Sequence, residues 1–391
     1  VWGVEKNPSA VIYLQSLFLQ QQAQWSSLPA TVQVVHSDLR YLNAKHLQNQ
    51  QADLIVSELL GSFGDNELSP ECLDDLFTLT NVCHSQTVSI PTSYTAFLAP
   101  ASSVKLHQQV QEQALYPNEA EGGFGLSAEG NGVLGKQVAV ETPYVVRPQV
   151  ASQMGAAQEC WTFVHPYIPE TPSNTTTNAM ETTTSATLPS KIQPNDMNRS
   201  VVLEFEGNHV RDSVVFGCGY GPTDEKAQTV LDAHTSTAAA AALKANRRFA
   251  EENSISATEV SPEETHADNS EFNLPWTLTG FLGTFSADLY VRPPSSSLAQ
   301  EEKVSISIVP ETFSDGMFSW FPLYFPLETP ILVPASESVV VQAQISRHAS
   351  ATEKRVWYEW SAIVQHKITG QILNATPIHN PRGRSFFVSS A

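Results

Sequence analysis

Residues 57–71 read "SELLGSFGDNELSPE". Two glutamates, Glu58 and Glu67, stand nine positions apart, with Gly61, Ser62, Phe63, Gly64 and Asp65 between them. A carboxylate withdrawn from water needs a partner. Two carboxylates turned toward each other by a loop with glycine corners need a cation between them. That cation could belong to a substrate. The plainer alternative for Glu67 is a helix-start acid, since Ser69-Pro70 follows and acids are ordinary at helix N-termini.

Upstream of this stretch the pattern is that of an α/β sheet. "VWGVE" (1–5) reads as a short strand, and Asn7-Pro8 as a helix cap followed by its first turn. A helix is expected from Pro8 to Trp25, with Val11, Leu14, Leu17 and Phe18 on one face. "TVQVVHSD" (31–38) and "ADLIVSE" (52–58) follow as strands. Apolar strands alternating with helices imply a parallel sheet covered on both faces. The three strands end in Glu5, Asp38 and Glu58, which places three carboxylates along the edge where such sheets bind ligands. A strand-end acid facing solvent is the alternative for each one alone. Glu5 stands where a nucleotide fold carries the acid that accepts ribose hydroxyls, and the glycine-rich turn of such a fold would precede Val1. Asp38 is placed to accept an exocyclic adenine amine, with Leu39 against the ring. An NAD-dependent enzyme would use the same ribose acid, and little beyond Glu5 speaks for one.

Downstream of Pro91 the pattern changes to alternating segments punctuated by proline, such as "VSIPTSYTAFLAP" and "TPYVVRPQV". Further strands are expected at 160–165, 201–206, 213–220, 276–291, 304–309, 338–346 and 356–365. With no helix–strand alternation, this half is expected to be antiparallel, a sandwich or barrel. Three inserts interrupt it, the Gly- and acid-rich 117–139, the apolar-poor 170–197 and 221–271 with its acidic Ser/Glu tail, and the first two and the tail of the third are expected to be disordered loops. An Ala-rich piece from Ala238 to Phe249 is the helical exception.

At 391 residues the chain is long enough for two domains, divided here as 1–91 and 92–391. A net charge of −19 speaks against nucleic-acid and membrane-surface binding and suits basic protein partners. The four cysteines show no CxxC spacing and read as reduced thiols of an intracellular protein. The histidines show no HExxH spacing, so His165 and His379 read as structural and no metal site is expected. The aromatic run "FSWFPLYF" (318–325) suits a core, although a tryptophan face is also the best cation–π partner for a guanidinium.

The double-glutamate loop resembles that of the protein arginine methyltransferases, and its wording is most similar to their type II members, which make symmetric dimethylarginine. "VEKNP" (4–8), "SIPTSYTAFLAP" (89–100), "PYVVR" (143–147), "FVHP" (163–166), "LEF" (203–205), "PETFSDGMFSWFPLYFP" (310–326), "VWYEW" (356–360) and "IHNPRGRS" (378–385) support the resemblance over nearly the whole chain outside the inserts. It implies a partial Rossmann-like S-adenosylmethionine-binding domain followed by an antiparallel β-barrel domain. It assigns Glu58 and Glu67 to gripping the target guanidinium. Glu5, Lys6, Asp38 and Leu39 fall to the cofactor, Ser62, Ser319, Trp320 and Phe321 to the substrate side, and Cys72 to the edge of the cofactor pocket. It further implies Arg/Gly-rich substrates and histone tails, a homo-oligomer, and a place in cytoplasm and nucleus. A WD-repeat partner would dock on an N-terminal domain that lies outside this sequence. Residues 1–391 also lack the glycine-rich turn and the phenylalanine associated with symmetric product. The alternative is therefore a catalytically inactive scaffold that binds Arg-rich proteins.

Overall fold

A computed structural model describes residues 1–25, 31–78, 81–115, 133–148, 150–167, 193–207, 214–216, 275–292, 302–317, 320–334, 336 and 338–389. The expected helix at 238–249 and the third insert lie outside these residues. The chain opens with β1 (Trp2–Glu5), α1 (Pro8–Trp25), β2 (Gln33–His36), β3 (Ala52–Val56), α2 (Ser69–Thr78) and β4 (Cys83–Ile90). Asn7 caps α1 with its side-chain oxygen, which accepts from the backbone N–H of Ser9 at 2.9 Å. β1 pairs with β2 and β3 with β4, both in parallel, as two separate ribbons. One small core joins the ribbons, with Leu42, Leu47, Leu76, Phe77 and Val82 buried and Val4, Val35 and Ile55 packed against them.

Then come β5 (Ser93–Ser102), α3 (Val104–Leu115), α4 (Val133–Val140), β6 (Tyr144–Val145), β7 (Ala151–Gln153), β8 (Gln158–Val164), β9 (Arg199–Glu206) and β10 (Val214–Phe216). They are followed by β11 (Trp276–Arg292), β12 (Glu302–Ser307), β13 (Leu323–Val333), β14 (Val339–Ser350), β15 (Arg355–His366), β16 (Ile372–Ala375) and β17 (Val388–Ser389). Eight of these strands form one sheet in the order β10-β7-β5-β11-β13-β6, with β12 on β11 and β8 on β5. The other five form a second sheet, β16-β15-β14-β9, with β17 on β15. β11 is the spine of the larger sheet. Its 17 residues pair in turn with β13, β5 and β12. A bulge between Leu278 and Gly280 shifts its register with β13 at the point where pairing with β5 begins.

The sheets share one core. Phe281 and Phe285 of β11 and Phe325 of β13 are buried in one cluster with Val341, Ile345, Tyr358 and Trp360 of β14 and β15. Phe325 meets Tyr358 and Trp360 edge-on, at ring-centre distances of 5.9 and 5.3 Å. Burial of such side chains stabilises by about 1.5–3 kcal/mol each.

The structure corrects the sequence reading in several places. The antiparallel strands do not close into a barrel; among the described residues both sheets are open. Closure requires two edge strands to pair along their length, and the ends of the larger sheet are β6 and β10, two and three residues long. The insert at 117–139 is helical from Val133, because Ala139 and Val140 bury against Leu106, Leu282 and Tyr324. Of the insert at 170–197, residues 193–197 are described, and Asn195 is buried there. The strand β13 is not among the expected strands; it begins inside the aromatic run read as core.

Candidate active site

The double-glutamate loop leaves β3 and returns at α2. Gly61 and Gly64 close its turn by exchanging backbone hydrogen bonds, Gly61 N to Gly64 O at 3.2 Å and Gly64 N to Gly61 O at 2.9 Å. The two glycines are needed for different reasons, Gly61 for space and Gly64 for its backbone angle. A Cβ on Gly61 would stand 2.4 Å from the Asn66 side-chain oxygen, which accepts from Phe63 N at 2.6 Å. Gly64 adopts φ +81°, a left-handed value that costs other residues strain. Phe63 drives the turn into the core, meeting Trp161, Phe325 and Tyr358 edge-on.

Glu58 and Glu67 are both exposed at the surface of this loop. They lie near enough to interact. The protein packed around Glu67, and secondarily the Glu58 charge, hold its carboxyl above the usual range. Two like charges so placed are mutually unfavourable and are relieved by a shared cation. Ser62 is buried within the turn, a position that offers a substrate little surface. Trp320 lies beside the loop. Its indole N–H donates to Leu60 O at 3.0 Å, and its ring meets Phe285 edge-on. Phe321 already carries a cation, the Arg147 guanidinium, 4.6 Å above its ring centre. Ser319 lies outside the described residues.

On the other ribbon, Glu5 closes β1 half-buried, and one of its oxygens accepts from Asn7 N at 2.6 Å. Its second oxygen is without a protein partner among the described residues and is available to a ribose diol. Lys6 is exposed, and its charge reaches Asp38. Asp38 is engaged by its own chain. Arg40 donates to both carboxylate oxygens, at 3.0 and 2.7 Å, and its backbone N–H donates to one of them. That pairing holds the Asp38 carboxyl down at about 2. Little of it remains for an adenine amine. Leu39 is partly buried against both cores. Cys72, near Arg40 and Asp38, has its thiol pushed up to about 11 by burial.

The residues that hold the loop were missed by sequence reasoning. Asp65, two residues before Glu67, is buried and accepts from Trp161 Nε1 at 3.2 Å, Tyr358 OH at 2.9 Å and Arg347 Nε at 2.5 Å. Arg347 is wholly buried on β14. It donates two bonds to Glu71, at 2.8 and 2.9 Å, and one to Met197 O at 2.8 Å. The signal lay in the strand pattern. Val341, Ala343 and Ile345 point inward, and Arg347 continues the same alternation. An arginine on an apolar face demands carboxylates.

Family models match the chain almost throughout. One described as the PRMT5 arginine-N-methyltransferase matches residues 1–90, and one described as the PRMT5 oligomerisation domain matches 93–219 and 226–388. Protein arginine N-methyltransferase 5 of Xenopus laevis is 30% identical over 388 residues, covering 99% of this chain and 39% of its own length. The Caenorhabditis elegans protein of the same name is 29% identical over 389 residues, covering 98% and 39%. The chain thus spans about two fifths of the length of the curated relatives it matches. Among solved structures, the Trypanosoma brucei PRMT1 enzyme-prozyme heterotetrameric complex with AdoHcy aligns at a TM-score of 0.51 and 9% identity, over 99% of this chain and 81% of that one. Arabidopsis thaliana protein arginine methyltransferase 10 aligns at 0.52 and 14%, over 100% and 82%. At such identities these two likenesses speak for the fold alone. The two family models together account for both halves of the molecule, and the chain belongs to the protein arginine N-methyltransferase 5 family.

Proposed function

We propose that this chain carries the substrate-gripping part of a protein-arginine ω-N-methyltransferase. What supports the reading is that the Glu58 charge is felt at the Glu67 carboxyl across a glycine turn, with the Trp320 indole tied to the same loop at Leu60. A guanidinium entering between the two carboxylates has its plane fixed by forked hydrogen bonds. Lysine offers a point charge without a fork and would not be oriented in that way. S-adenosylmethionine would supply the electrophilic methyl group, its methyl C–S bond breaking as the C–N bond forms and neutral S-adenosylhomocysteine leaving. Glu5 would hold its ribose through the carboxylate oxygen not used by Asn7, with Lys6 and Leu39 at the margin and Asp38 contributing mainly charge. Orientation of the attacking nitrogen can contribute about 7–11 kcal/mol. The carboxylates draw positive charge toward the guanidinium, and one of them accepts the proton that the methylated nitrogen sheds. Trp320 closes the aromatic side.

By family membership the product would be symmetric dimethylarginine on Arg/Gly-rich proteins and histone tails. The protein would work as an oligomer in cytoplasm and nucleus, and a WD-repeat partner would dock on a domain outside this sequence. In the full-length protein with a Gly-Arg-rich peptide, Glu58→Gln and Glu67→Gln should each lower kcat by about 10²-fold or more, on the scale of removing one electrostatic stabiliser. Variants that methylate as fast as the parent would refute the assignment.

A further inference from the structure

We infer that Arg347 is a positioning residue for the double-glutamate loop: from inside the C-terminal sheet, through Asp65, it holds the turn that presents Glu58 and Glu67. The inference rests on the function proposed above for that loop. Arg347 and its partners reach the site only through other residues.

Three features carry it. The first is placement. Asp65 is one residue beyond the Gly61–Gly64 turn and two before Glu67, so a displacement of Asp65 moves both corners of the loop. The second is completeness. Asp65 accepts from Arg347, Trp161 and Tyr358, three donors on β14, β8 and β15. These three bonds to its carboxylate all come from the antiparallel sheets beyond Pro91. Arg347 directs its fork at Asp65 and Glu71 and its remaining donor at Met197 O, with the Phe163 ring 5.2 Å from the guanidinium carbon. One cation therefore joins the acid inside the loop to the acid in the first turn of α2, and sets the loop's return angle. Lysine retains the charge but cannot reach two carboxylates and a carbonyl in fixed directions.

The third feature is independence. Helix α2 has its own anchor. Asp74 accepts from Asn195 Nδ2 at 2.8 Å and from the Asn195 backbone N–H, and it lies 3.1 Å from His165 Nδ1. His165 Nε2 in turn meets Tyr94 OH at 3.0 Å. Loss of the Arg347 fork should then free the loop while α2 stays in place.

The test compares parent and Arg347→Lys full-length protein by hydrogen exchange and kinetics. The backbone amides of Gly61, Phe63, Gly64 and Leu68 are closed within the loop, donating to Gly64 O, Asn66 Oδ1, Gly61 O and Asp65 O. Their exchange should quicken at least about tenfold in the variant, with the β1–β2 ribbon unchanged. In methyl transfer, kcat should fall at least about tenfold while the KM for S-adenosylmethionine stays within about twofold. The acidic limb of the pH profile should also move to lower pH, because Glu67 leaves its packing and the field of Glu58. A purely structural lesion scales that profile without moving it. Tyr358→Phe and Trp161→Phe each remove one donor from Asp65 and should give smaller effects in the same order, whether or not the lysine variant folds. Unchanged loop exchange in all three variants would overturn the inference. Exchange is read without turnover, so an inactive parent would count against the proposed function, while the exchange comparison would still decide the role of Arg347.

Discussion

At the scale of single residues, Glu67 gives the sharpest expectation. Its folded carboxyl sits above the ordinary value through burial and, secondarily, the Glu58 charge. A raised acid favours the protonated fold, so native stability falls as pH rises from about 4.5 through the raised value. A guanidinium between the two acids reverses the preference and drives the proton off. Peptide affinity should therefore tighten with pH across that window, by up to about tenfold per pH unit for one proton. Calorimetry of peptide binding in buffers of different ionisation heat should register a proton released by the parent and none by Glu67→Gln. Equal proton release by both would remove Glu67 from the site.

At the scale of elements, the β11 bulge is the most exacting part of the fold. A Cβ on Gly280 would stand 2.4 Å from the Phe325 carbonyl oxygen and 2.6 Å from the Tyr324 ring. A backbone carbonyl cannot swing aside as a side chain can, so Gly280→Ala should destabilise by about 3 kcal/mol, measurable as a lowered urea midpoint with unchanged m-value. Most elements were legible because their residues decide them locally. Asn7-Pro8 starts α1, and alternation marks β9, β14 and β15. What stayed hidden depends on partners distant in sequence. β13 could not be told from a packed aromatic run until β11 lay beside it, and sheet closure depends on edge strands that carry no pattern of their own. The candidate site divides the same way. Glu58 and Glu67 announce themselves by spacing around glycines. Asp65 could not be told from a solvated loop acid without Arg347, 282 positions away. Asp38, an open strand-end acid in the sequence, is taken up by Arg40 two residues later.

At the scale of the whole molecule, a net charge of −19 surrounds a site that would bind a cation. Long-range attraction of that kind raises the encounter rate and is screened over about 8–10 Å at physiological salt. For a Gly-Arg-rich peptide, kcat/KM should fall several-fold between about 50 and 300 mM salt while kcat stays nearly constant. A kcat/KM that ignores salt would show that capture depends on short-range contacts alone.

The resident cation on Phe321 has a consequence of its own. Because Arg147 already lies across that ring, the aromatic floor beside Trp320 is tenanted before any peptide arrives. A second guanidinium cannot share that face while Arg147 holds it, so the ring lends little to the capture of stray positive charge.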